Sequence, residues 1–527
     1  MKKLKVTKIV LIILIGLIGL INLNCKNHEN KLIVSAKKTK LIYDVTPFDS
    51  TAIATFFNKY PKLKAYQNEV IAIYKKRQFH YIWYDKNGIR ETANVLNDRI
   101  NSIDTEGIQT VVSYKNEFDN LFKSSSDQAD LQLELFLSTY YFYYTTKVNQ
   151  GIDELKSKEL GWYLPRKKQS YVDYLDSILS NPKKIDENKR MISQYYKLKD
   201  ELRNYRTLEK KGGWVTIETA SNFKFFQPGD STKAIQEIRA RLFLTGDINA
   251  DSKSTIYDNT LKEGILKYKE RNGFALDSII LPKHIVDMNV PIGNRIKSII
   301  INMERCRWIS PNILKSKELI VINIPSYKLL YFKNEKVALT SNVVVGTEMH
   351  KTVIFSGMMK YIVFSPYWNV PTSILKKEIL PAIKRNKHYL RNHNMQWYKG
   401  GVRQKPGPNN SLGLVKFLFP NSNNIYLHDT PSKNLFKEEN RAFSHGCIRI
   451  AKPKELANAI LENDPKWTPE KIEEAMNRGK ESYYTLQNEI PVYIGYFTTW
   501  VDKDGHLNFY KDVYDRDSKL EELLVAD

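Results

Sequence analysis

Residues 444–449 read Ser-His-Gly-Cys-Ile-Arg and set a thiol beside a glycine and an imidazole. That combination suits nucleophilic catalysis, in which a cysteine forms a covalent intermediate with help from a base. A free thiol ionises near pH ~8.5, so Cys447 needs a base or a positive field to act near neutrality. His428 and His445 are the candidate bases. His445 stands two positions before Cys447, and in an extended strand the two side chains share a face. His428, in Tyr-Leu-His-Asp-Thr-Pro at 426–431, comes from a second segment and reaches the sulfur side-on if the two strands are neighbours. It is favoured as the base. Asp429 would point away from it on a strand, which leaves a backbone carbonyl to orient the imidazole.

An acyl-transfer intermediate also needs donors for its oxyanion, and the N–H groups of Gly446 and Cys447 are candidates, with Ser444 and His445 in support. Arg449 could meet a substrate carboxylate with its planar fork of donors, or form a structural ion pair, and Arg441 carries the same two readings. Tyr426 is a further candidate for contacting substrate. A zinc site built from His428, His445 and Cys447 fits poorly, because no paired cysteine or second carboxylate motif completes a tetrahedral set. No metal or cofactor is expected.

The elements that must position these residues change character along 527 residues, a length that suggests two to four domains. Residues 26–215 read as a mostly helical scaffold, with an aromatic stripe at 140–144 that suits core packing. Gly212, Gly213 and the Pro-Gly-Asp at 228–230 mark a linker. A small helical module follows at 228–290: Ile235, Ile238 and Leu242 share one face before Gly246, and Leu261, Ile265 and Tyr268 another before Gly273. From 296 to 527 a helix gives way to β-rich runs at 319–324, 329–332, 343–345, 492–500 and 507–510. The stretch 371–413 is basic and helical in character and reads as an insertion capping the sheet. The expected class is multidomain α+β.

The formal net charge of +23 points to an anionic polymer or membrane surface, and no nucleic-acid signature accompanies it. Lys2, Lys3, Lys5 and Lys8 precede an apolar run at 9–21, which matches a secretory signal and is short for a membrane span. Export to the periplasm or cell envelope is expected, with tethering by an uncleaved anchor or a lipid on Cys25. Cys25, Cys306 and Cys447 are the three cysteines and leave no even disulfide framework.

YLHDTP at 426–431 followed by RAFSHGCIRI at 441–450 resembles the signature of YkuD-type L,D-transpeptidases, with His428 and Cys447 at that family's base and nucleophile. NMERCRW at 302–308, VINIPSYKLLYF at 321–332, FSPYWNVPTSILKKEILP at 364–381 and RQKPGPNNSLGLVKFLFPN at 403–421 resemble the large, YcbB-type members. Cys306 falls where such sequences more often carry an aromatic residue, and reads as a buried packing thiol. YDNTLKEGILKYKERNGFALD at 257–277 resembles a three-helix peptidoglycan-binding module. The resemblance implies a β-sandwich-like catalytic domain whose cysteine attacks after the third residue of a tetrapeptide stem, releases D-alanine and passes the acyl group to an amine. It implies a mobile cap in which Tyr367, Trp368, Trp397 and Tyr398 grip substrate or pack among themselves. It also implies acylation by carbapenems. An L,D-carboxypeptidase, a ligase joining the wall to a lipoprotein, and a non-catalytic wall-binding scaffold are the alternatives.

Overall fold

A computed structural model describes residues 46–125, 128–166, 169–180 and 191–526. The N-terminal basic and apolar segment and Cys25 lie outside the described residues. Among the described residues no helix is long and apolar enough to cross a membrane.

The first third folds as helices around Leu131–Tyr144, whose N-cap Asp130 accepts the Leu133 N–H at 2.8 Å. This helix is buried on nearly every side, so its sequence carries no amphipathic stripe. Its aromatic rings meet those of Phe56, Tyr60 and Phe118 in edge-on and tilted contacts. The buried Glu134 carboxylate accepts from the Tyr74 hydroxyl and the Ile82 N–H, each at 2.6 Å, and burial still pushes its pKa up to about 7. The small module has its own core, in which Ile235, Ile238 and Leu242 of Lys233–Leu244 pack with Leu261, Ile265 and Tyr268 of Asn259–Asn272.

Nine strands then form one sheet: β1 (Glu318–Asn323), β2 (Lys328–Lys333), β3 (Lys336–Gly346), β4 (Ser356–Phe364), β5 (Val415–Leu418), β6 (Leu427–His428), β7 (Ala442–Ser444), β8 (Ile448–Ile450) and β9 (Ser482–Gly495). Their order is β7-β3-β8-β6-β5-β4-β9-β1-β2. Pairing of β2 with β3 brings the ends of that order together, so the sheet curls around its own inner face. Residues from opposite walls, such as Tyr331, Phe417 and Ile494, share one core, the packing a sandwich-like β domain requires. The apolar run expected at 492–500 divides: β9 ends at Gly495, and Thr499–Val501 pairs instead with Leu507–Phe509.

Between β4 and β5 lies the cap. Its helices Leu380–Arg385 and Tyr389–Asn392 were legible, but it also holds a three-stranded sheet of Trp368–Asn369, Met395–Tyr398 and Gly401–Gln404. The hairpin turns at Lys399 and Gly400, which both take positive φ, 47° and 75°. Lys-Gly is a weaker hairpin signal than Asn-Gly, and this turn hid the strands.

Helix Ile292–Arg307 joins scaffold to sheet. Within NMERCRW, buried Glu304 meets Arg307 at 2.7 Å and accepts from the Trp308 indole and from the Ile152 N–H. Arg307 donates onward to the carbonyls of Val148 and Glu106. Cys306 is fully buried, as expected, and burial pushes its thiol pKa up. This motif is a joint between layers. Glu304→Ala strands a buried guanidinium and is expected to cost about 3–5 kcal/mol in chemical denaturation, whereas a loss below about 1 kcal/mol would mean the pair is solvated.

Candidate active site

The favoured base lies on a strand that pairs with the one entered from Cys447. β6 runs parallel to β8, with Leu427 opposite Ile448 and His428 opposite Arg449. Leu427 and Ile448 are fully buried in the core. Alternation therefore turns Tyr426, His428 and Arg449 to the other face, the side of the Cys447 thiol. β5 adds Lys416, the register partner of His428. One row thus holds Lys416, His428 and Arg449, and the adjacent row holds Tyr426 and Cys447.

His428 is buried, and its Nδ1 lies 2.5 Å from the Asp429 carbonyl. A carbonyl only accepts, so Nδ1 carries the proton and Nε2 keeps its lone pair. The Asp429 carboxylate plays no part in this. It accepts from the N–H groups of Leu414 and Thr430 and pairs with Lys433. Burial lowers the His428 pKa to about 3, and the cations Arg449, Lys416 and Lys433 reinforce it. Cys447 is part-exposed, with Sγ 3.7 Å from the Asn424 carbonyl, and hydrogen-bonded by Tyr426. Burial raises its pKa above the ordinary thiol value, opposed by Tyr426, Lys416 and Arg449. The resting pair is a neutral thiol and a neutral imidazole.

Between β7 and β8 the strand breaks. Gly446 takes φ +111°, so His445 and Cys447 do not follow strand alternation. This corrects the same-face expectation. His445 is exposed, with Nε2 2.9 Å from Glu378 of the cap and its ring 5.1 Å from that of His350. Ser444 ties the turn: its hydroxyl donates to the Cys447 carbonyl at 2.6 Å and accepts the Gly446 N–H at 3.1 Å. The Gly446 N–H, expected as an open oxyanion donor, is therefore taken.

Arg441 is nearly buried, donates to the Glu438 carbonyl and lies 5.0 Å from the Tyr327 ring centroid, a structural placement. Arg449 stays beside the thiol with a buried Nε that has no partner among the described residues. In the cap, Trp368 packs on the core of Val370, Ile374, Ile379, Met395 and Val402. Tyr367 and Tyr398 hold the Arg403 guanidinium between them, at 4.1 and 3.8 Å from their ring centroids. Trp397 is 58% exposed and is the cap aromatic most available to a ligand.

Lys416 escaped the sequence reading. Its signal was a lone cation between the apolar Val415 and Phe417. The amine lies 4.2 Å from the Tyr426 ring centroid, beside the thiol. Glu378, the cap's sole acidic residue against nine Lys and Arg over 371–413, escaped too.

Alkylation of Cys447 by iodoacetamide is expected to inflect above pH ~9, since only the thiolate reacts. An inflection near pH ~6 would instead reveal a resting thiolate and imidazolium pair. Because the folded His428 pKa of about 3 lies below the unfolded value near 6.5, the unfolded state binds the extra proton between them. His428 should therefore make stability fall as pH drops below about 6.5, and His428→Gln should flatten that limb in thermal melts.

A family model described as the L,D-transpeptidase catalytic domain, YkuD, matches residues 317–472, and a scaffold-domain model matches residues 68–202. An inferred L,D-transpeptidase of Haemophilus influenzae is 32% identical over 222 residues, 38% of this chain and 45% of that protein. The chain thus spans under half of that curated relative. Solved structures matched include an L,D-transpeptidase of Stackebrandtia nassauensis (14% identity, 52% of this chain and 97% of that one, TM-score 0.22). Another is an L,D-transpeptidase of Xylanimonas cellulosilytica (10% identity, 52% and 100%, TM-score 0.19). The catalytic-domain match spans β1 to β8 and includes both His428 and Cys447, and the scaffold-domain match precedes it in the chain.

Proposed function

We propose that this protein cross-links peptidoglycan between the third residues of stem peptides, through a thioester on Cys447. The observation that carries the reading is the placement, on one face of the paired strands β6 and β8, of a part-exposed thiol and a buried imidazole whose Nδ1 is spent on a carbonyl. Cys447 Sγ adds to the carbonyl of the third residue of a tetrapeptide donor, and its proton passes to His428 Nε2. The tetrahedral intermediate collapses, the peptide C–N bond breaks, and His428 returns the proton to the departing D-alanine amine. An acceptor amine then attacks the thioester, gives its proton to His428 and restores the thiol. Atoms and charge balance without a cofactor.

With Nδ1 held by the Asp429 carbonyl, the lone pair on His428 Nε2 is free for the thiol proton. Lys416 and Arg449 flank the reacting atoms and offer a positive field to the substrate's carboxylates. The basic cap, with Trp397 exposed at its hairpin, fits a role in holding anionic stem peptides over the cleft. The module around Lys233–Leu244 and Asn259–Asn272 is assigned to wall binding, and the N-terminal segment to export and tethering in the cell envelope.

Cys447→Ala is expected to abolish D-alanine release from disaccharide tetrapeptide and to prevent a carbapenem adduct in intact-mass spectra. An adduct on that variant would disprove the nucleophile. His428→Ala should lower acylation by about 100-fold or more with the fold retained. Products of the wild-type reaction should include dimers bridged between third residues. Tripeptide without dimers would reassign the enzyme as an L,D-carboxypeptidase, and attachment of a lipoprotein amine would reassign it as a ligase.

A further inference from the structure

Beneath the nucleophile turn lies a closed set of hydrogen bonds that contains none of the reacting side chains. Thr352 is fully buried, and its hydroxyl accepts the Gly346 N–H at 2.9 Å and donates to the Gly446 carbonyl at 2.9 Å. Its own N–H donates to the Tyr514 hydroxyl at 3.1 Å, and that hydroxyl donates to the Gly346 carbonyl at 2.8 Å. An N–H occupies the acceptor side of each hydroxyl, so the direction in which each donates is fixed. All four bonds are buried, and along each hydroxyl the accepted bond strengthens the donated one.

Both ends are anchored. Tyr514 donates its N–H to the Tyr496 hydroxyl at 2.8 Å and stacks on that ring, with centroids 5.7 Å apart. Tyr496 donates in turn to Asp512. At the other end, a Cβ on Gly346 would sit 2.0 Å from the His350 carbonyl oxygen and 3.1 Å from the Gly446 Cα, so glycine is what lets β3 approach the turn. Tyr514 lies beyond the residues matched to the catalytic domain, and no catalytic motif marks it.

The Gly446–Cys447 peptide is planar and trans, so its carbonyl and its N–H point in opposite directions. Holding the carbonyl on Thr352 therefore turns the Cys447 N–H away from Thr352. The neighbouring Gly446 N–H is spent on Ser444, whereas the Cys447 N–H donates to nothing among the described residues. We propose that Thr352, seated on Tyr514, is a positioning residue that aims the Cys447 N–H at the oxyanion of the acyl-transfer intermediate. This rests on the acyl-transfer reading above. When sulfur adds to the carbonyl carbon, the π pair moves to oxygen and the thiol proton to His428. The aimed N–H stabilises that oxygen until the pair returns and expels the amine. A donor left free to tilt loses most of this effect, because oxyanion stabilisation depends on preorganised geometry.

Two reactions of the full-length chain separate positioning from mere integrity. Acylation by a carbapenem, followed by intact mass, passes through an oxyanion. Alkylation of Cys447 by iodoacetamide, read by peptide mass spectrometry, is a substitution at carbon and does not. Thr352→Val is expected to slow acylation about 10- to 100-fold while alkylation stays within about twofold of wild type. Thr352→Ser keeps the hydroxyl and should restore acylation, and Tyr514→Phe should give a smaller loss than Thr352→Val. Acylation of Thr352→Val at the wild-type rate overturns the assignment. So does a joint loss of acylation and alkylation, which would mean a collapsed turn. A wild-type chain that takes no adduct on Cys447 brings down the acyl-transfer reading itself, and this inference with it.

Discussion

The parallel pairing of β6 with β8 is the constraint on which the site depends. It comprises only a few residues, yet it fixes Leu427 and Ile448 in the core and so commits Tyr426, His428 and Arg449 to the thiol's side. A slip of one residue would bury the imidazole in the sheet core and turn Leu427 outward. The curled sheet prevents that slip, because β6 and β8 are flanked on both sides by longer strands whose own core residues are fully buried. Register and burial keep the candidate groups on one face.

Burial also decides the protonation states. A base taken out of water and set beside Arg449 and Lys416 does not hold a second proton, and a thiol in the same place does not readily lose its own. Both shifts favour the neutral forms of the two groups. The two flanking cations disfavour imidazolium but favour thiolate and oxyanion. Their net effect on the reaction depends on where an anionic substrate places its own charge.

Away from the site, the molecule is held by buried charge networks and by the aromatic core. The joint of Glu304 and Arg307 links the Ile292–Arg307 helix to Val148, Ile152 and Glu106. Helix Ser193–Lys210, read in the sequence as the end of the scaffold, lends Tyr195, Leu198 and Leu202 to the same core as the sheet. The cap touches the nucleophile turn through the Glu378 and His445 pair, both partners solvent-accessible, so that contact is weak by nature.

Local chemistry in the chain was enough to single out Cys447 and His428 as candidates and to expect a backbone carbonyl against the imidazole, which Asp429 supplies. A thiol beside glycine, a second histidine in a β-rich segment and the motif that joins them are all readable within a few residues. The apolar periods of the small module and the burial of the aromatic stripe were legible for the same reason: each is set by neighbours three or four positions apart. What the linear order did not disclose depends on residues distant in sequence. Lys416, Glu378, Thr352 and Tyr514 look ordinary where they stand, and only the sheet order and the C-terminal return bring them to the turn. The fate of the Gly446 N–H was equally hidden, because a single positive φ decides whether Ser444 reaches it. Residue type and spacing nominated the candidate groups. The tertiary structure chose their tautomer, their charge and the direction in which they point.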